Sequence, residues 1–157
     1  TYNMNKLEEM FKVSEIHAKR ITLALIELKP LFPLNQEKVL NLSNQNLLWI
    51  ELLISRFSKL QDFIGRKMID EFLRMTKDYS ENLTMVEKLN KLECLEIIES
   101  ADLWEQMREA RNHIAHEYPD EPALTAKYLN QIFYFAPKLL QILDRIKNRI
   151  ISQKNFI

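Results

Sequence analysis

Residues 44–76, NQNLLWIELLISRFSKLQDFIGRKMIDEFLRMT, decide the fold class. Within them Leu47, Ile50, Leu53, Ile54, Phe57, Leu60, Ile64, Met68 and Phe72 recur at three- and four-residue spacing, the period of one buried helix face. Ser43 or Asn44 can cap the start, so one long helix running to about Thr76 is expected. Gly65 sits inside it and costs about 1 kcal/mol of helix propensity. It permits a close crossing by a neighbouring helix, permits a bend, or is simply tolerated.

The flanks read the same way. Leu7, Met10, Phe11, Ser14, Ala18, Ile21, Leu25 and Leu28 form a stripe over residues 5–29, and Pro30 and Pro33 end that helix. Residues 29–41 read as a connection with a helical turn at Gln36 to Leu40. Thr84 with Glu87 has the form of a capping box and opens a short helix to about Leu92. Ser100 caps a further helix to about Glu117, with Leu103, Met107, Ala110 and Ile114 on its inner face. Pro119 disfavours helical geometry at Tyr118 and ends it there. Pro122 suits the first turn of a last helix. Its stripe is Leu129, Ile132, Phe133, Leu139, Leu140, Leu143, Ile146 and Ile150, with a kink expected at Pro137. The expectation is a single all-α domain over residues 1–157, an up-and-down bundle of about five helices with one long antiparallel pair.

Composition narrows the function classes. The 157 residues contain one glycine, which excludes glycine-rich phosphate loops and hairpin-rich sheet folds. The 22 basic and 22 acidic side chains cancel, so an RNA-binding role needs a local basic patch, such as one made by pairing two subunits. Residues 47–54 form the longest apolar run, interrupted by Glu51 and too short to span a membrane. Thr1 to Met4 show no basic segment leading into an apolar core, so no secretory leader is expected. Cys94 is the only cysteine. Among Leu92, Leu95, Ile97 and Ile98 it is expected to be a small buried hydrophobe, compatible with the cytoplasm.

One run carries chemistry: Arg111-Asn112-His113-Ile114-Ala115-His116-Glu117-Tyr118, an Arg-x4-His-x-Tyr spacing at a helix end. A guanidinium holds phosphate oxygens, and an imidazole takes a proton from an RNA 2′-hydroxyl or returns one to the leaving oxygen. On a straight helix Arg111 and His116 stand roughly 140° apart, whereas Arg111 and Tyr118 fall within about 20° and Asn112 and His116 within about 40°. Either the last turn unwinds, or two copies of the helix meet across a two-fold axis; the dimer is favoured.

Plainer readings compete. An arginine here also forms salt bridges, with Glu105, Glu109 or Glu117 at hand. A histidine in a last turn is favoured by the helix dipole alone. His113 and His116 lack further ligands nearby, so no metal or cofactor is expected, and His113 reads as structural or solvent-exposed. His17 reads as structural. Tyr128, Phe133, Tyr134 and Phe135 read as core and subunit interface before base stacking. Lys138, Arg145, Lys147 and Arg149 read as a solvated face.

With this motif ending a helix in an all-α chain of this length, the sequence resembles the HEPN family. More narrowly, it looks like the toxin of the HEPN/minimal-nucleotidyltransferase pair, whose signature is Arg-x4-His-x-Tyr. Arg56-Phe57-Ser58-Lys59-Leu60-Gln61-Asp62 also looks like that group's second helix. The resemblance implies a cytoplasmic, homodimeric, metal-independent RNase toxin with Arg111 and His116 as its catalytic pair. Asn112 and Asp62 would support the site. Tyr118 would be the residue that a nucleotidyltransferase antitoxin modifies with AMP, blocking RNA by charge and volume. The alternative within the same resemblance is a non-catalytic subunit that docks a nucleotidyltransferase and presents substrate to it.

Overall fold

Side-chain caps begin the helices where the sequence predicts them. Ser43 accepts from the amide of Asn46 at 3.1 Å, Thr84 from Glu87 at 3.2 Å and Ser100 from Leu103 at 3.0 Å. Each hydroxyl satisfies an amide that lacks an intrahelical partner. The structure is a computed structural model that describes residues 2–115 and 120–155. These form α1 (Asn5–Leu28), α2 (Gln36–Leu40), α3 (Asn44–Phe63), a π-helical turn (Ile64–Met68), α4 (Ile69–Met75), α5 (Met85–Cys94), α6 (Ala101–Ala115) and α7 (Pro122–Asn155). No strand occurs among the described residues.

The expected long helix is thus α3, the π turn and α4 in one uninterrupted run. Its apolar face meets α1 in an antiparallel pair: Tyr2 reaches Glu71, Ser14 reaches Met68 and His17 reaches Arg56. α7 lies antiparallel to the other side of α1, with Lys147 on Glu15 and Lys154 on Glu8. Phe57, Leu60, Ile64, Met68 and Phe72 are fully buried against Leu7, Ile21 and Leu28 of α1, Trp104 and Met107 of α6, and Ile132, Leu139 and Ile146 of α7. Burial of each such side chain stabilises the fold by about 1.5–3 kcal/mol. α7 stays helical through Pro137. Asn130 clamps the α1–α2 connection to it, donating to the Leu34 carbonyl at 2.9 Å and accepting from the Leu34 amide at 2.7 Å.

Several expectations are corrected. Leu47 is exposed rather than buried: it lies in the first turn of α3, and the buried face begins at Ile50. Cys94 is exposed, not a buried hydrophobe: it ends α5 and points away while Leu92, Ile97 and Ile98 fill the core. The inner face of α6 is Trp104, Met107 and Ala110, with Leu103 and Ile114 only half-buried. The cations of α7 are not a free solvated face. Arg145 and Arg149 donate to the carbonyls of Ile97 and Leu95 at 3.4 and 3.1 Å, and Lys138 pairs with Glu99. The two arginines satisfy carbonyls of the segment that follows α5. Of the aromatic cluster, Phe135 is buried and Phe133 stacks on Phe32 at 4.2 Å, whereas Tyr134 stands at the surface.

Candidate functional site

Arg111 sits near the end of α6, two turns after Trp104 and on the same face of the helix. That face meets the long helix. Trp104 packs on Gly65, where a Cβ would lie 3.2 Å from the indole Cζ2. The missing side chain at Gly65 leaves room for this close crossing, and the same residue lies within the π-helical turn.

One turn before Gly65, Gln61 is almost wholly buried on α3, and its Oε1 accepts from Nη1 of Arg111 at 2.5 Å. Asp62 lies 3.5 Å from the same nitrogen, and Asn112 Oδ1 lies 3.4 Å from Nη2. The guanidinium is thereby oriented from two helices while its side chain keeps 24% of its surface exposed. Asp62 is itself shared, taking a 2.9 Å ion pair from Arg66 one turn further on. Among the described residues the acids of its own helix are not its partners: Glu105 pairs with Arg108, and no ion pair joins Glu109 to Arg111.

Arg111, Asn112 and Asp62 are therefore brought together. His116, Glu117 and Tyr118 lie outside the described residues, so their geometry relative to Arg111 does not enter. Gln61 was missed in the sequence. Its signal was a polar residue on the apolar stripe, four after Phe57 and three before Ile64. Such a residue must find a buried partner.

His113 points the other way. Its ring lies parallel to that of Tyr128, with centroids 4.6 Å apart, at the junction of α6 and α7. A pocket of about 270 Å³ opens beside it, lined by Gln106, Glu109, Lys127 and Gln131 among others. On α1, His17 is half-buried, and its Nδ1 lies 3.1 Å from Nη1 of Arg56. Burial, then the charges of Arg56, Lys59 and Arg20, holds its pKa below the ordinary 6.5. Among the described residues no group of three or more His, Cys, Asp or Glu is placed to hold a metal ion. None of their helices is long and apolar enough to cross a membrane.

Compared with family models, curated proteins and solved structures, the chain matches none.

Proposed function

We propose that the chain is a metal-independent endoribonuclease acting as the toxin of a HEPN/minimal-nucleotidyltransferase pair. The observation that carries this reading is the tether of Arg111 to the buried Gln61 amide, with the guanidinium still partly open to solvent. The amide adds no negative charge of its own, and the one carboxylate beside the fork, Asp62, is shared with Arg66, so part of the positive charge stays available to a phosphate.

In this reading Arg111 binds the non-bridging oxygens of the scissile phosphate. His116 removes the 2′-hydroxyl proton as that oxygen attacks phosphorus. An imidazolium from the same motif, in this chain or in its copy, protonates the departing 5′-oxygen. The products are a cyclic phosphate and a free 5′-hydroxyl, with no water consumed in this step. Asn112 and Asp62 help orient Arg111. The working form is a cytoplasmic homodimer, and a nucleotidyltransferase antitoxin silences it by placing AMP on Tyr118.

RNA incubated with the protein in EDTA tests this. Cleavage by the wild type, lost in Arg111→Ala and in His116→Ala, is expected; intact RNA with the wild type removes the catalytic reading.

A second reading is favoured by a different observation. Val13, Ile16, Leu23 and Ile26 leave exposed apolar side chains along α1, as suits a subunit that docks another protein. A nucleotidyltransferase whose activity depends on this chain, in the absence of any RNA cleavage, would favour that non-catalytic role.

A further inference from the structure

We propose that Arg20 of α1 with Arg56 and Lys59 of α3 forms a docking patch for the phosphate backbone of single-stranded RNA, continuous with Arg111. The proposal rests on the ribonuclease reading for its choice of polyanion, but its evidence is separate.

Helical spacing and one contact gather the three cations: Arg56 touches His17, Arg20 follows His17 by three residues on α1, and Lys59 follows Arg56 by three on α3. His17 accepts from Arg56 at 3.1 Å, which leaves Nδ1 unprotonated, and all three positive side chains lie close enough to disfavour a further charge there. Like charges gathered in this way raise the free energy of the folded chain unless an anion offsets them. Among the described residues no ion pair involves Arg20, Arg56 or Lys59. Helical neighbours three and four residues away are the positions that could neutralise them. For Arg20 these are Ile16, His17, Leu23 and Ala24, and for Arg56 they are Leu52, Leu53, Lys59 and Leu60. Lys59 has one acid in range, Asp62, which Arg66 and Arg111 already hold.

The direction of the patch favours a chain of phosphates over one isolated anion. Arg56, Lys59 and Asp62 follow one another at three-residue steps, about 4.5 Å of rise each, and wind round the outer side of α3. The last of them touches Arg111. A strand held at its scissile phosphate by Arg111 can lay neighbouring phosphates on Lys59 and Arg56, past the Asp62 carboxylate that Arg66 and Arg111 offset. A chain of zero net charge thus obtains local positive potential within one protomer.

The test is fluorescence-anisotropy binding of a labelled single-stranded RNA oligonucleotide over a series of salt concentrations. The combined variant R20Q/R56Q/K59Q is compared with the charge-keeping variant R20K/R56K and with Arg111→Ala. We expect the neutralised variant to bind at least about tenfold more weakly and its log–log salt slope to shrink by about 2, since each single-strand phosphate contact contributes about 0.7. The charge-keeping variant should retain the slope, which separates charge from packing, and thermal melts confirm that each variant is folded. An unchanged affinity and slope in the folded neutralised variant would overturn the proposal. So would wild type that binds no RNA, or a loss confined to binding of an acidic protein partner. Patch-dependent binding by a wild type that cleaves nothing would support the patch while removing the catalytic reading.

Discussion

Gln61 and Arg111, fifty positions apart, meet in a hydrogen bond that joins α3 to α6. The amide is buried and the guanidinium half-open, so the bond both closes a packing seam and aims the one motif cation in the described site.

Removing that tether should change turnover more than binding. Gln61→Leu keeps the volume but frees the guanidinium, and we expect kcat for RNA cleavage to fall on the order of 10²-fold with KM shifted far less. Equal losses in kcat/KM and in RNA affinity, with kcat untouched, would place Gln61 outside the positioning role.

Two groups, half-buried His17 and buried Glu71, give stability a distinct pH signature. His17 has a depressed native pKa, so the unfolded chain binds the extra proton first: stability declines as pH falls from about 7 through 6.5, and flattens below the native value. At Glu71 burial alone would raise the carboxyl, but hydrogen bonds from Tyr2, Arg74 and Lys6 outweigh it and hold the pKa below 4.5. Its contribution is present above 4.5 and disappears as pH falls through the lower native value. Chemical denaturation across pH should show His17→Gln flattening the first window and Glu71→Gln the second. A His17→Gln profile superimposable on wild type between pH 7 and 5 would contradict the environment described for His17.

Gly65→Ala sets two effects against each other. Helix propensity favours alanine by about 1 kcal/mol, while the new Cβ would stand 3.2 Å from a buried indole. Trp104 is 1% exposed and boxed in by the core, so overpacking of about 1–3 kcal/mol should win. Calorimetry should show a lower Tm for Gly65→Ala. Adding Trp104→Phe should make the alanine less costly than it is in the wild-type background, a coupling that additive effects would not produce.

Glu96 and Lys77 adopt left-handed backbone, at φ of 60° and 63°, immediately after α5 and α4. Their neighbours close these helix ends, with the amide of Ile97 on the Leu92 carbonyl and that of Asp78 on the Leu73 carbonyl. Glycine adopts this conformation without the Cβ penalty. Glu96→Gly and Lys77→Gly should each stabilise the protein by about 0.5–1 kcal/mol in urea melts, and a loss of stability at both would refute the assignment.

Local rules in the chain alone determined where helices begin and which side of each is apolar. Ser43, Thr84 and Ser100 act within one turn of themselves, and the stripe from Ile50 to Phe72 follows from helical period, so neither needed knowledge of the rest of the molecule. The Arg-x4-His-x-Tyr spacing from Arg111 to Tyr118 was likewise readable in the chain alone as a candidate site. Tertiary structure decided which helix faces meet, and that placed Gln61 beneath Arg111, Trp104 on Gly65, and His17 beside Arg56. It also turned Cys94 outward and drew Arg145 and Arg149 onto open carbonyls. The physical reason is range: caps and periodicity are short-range, whereas partners of buried polar and charged groups are chosen by how remote helices pack, which one-dimensional spacing does not encode.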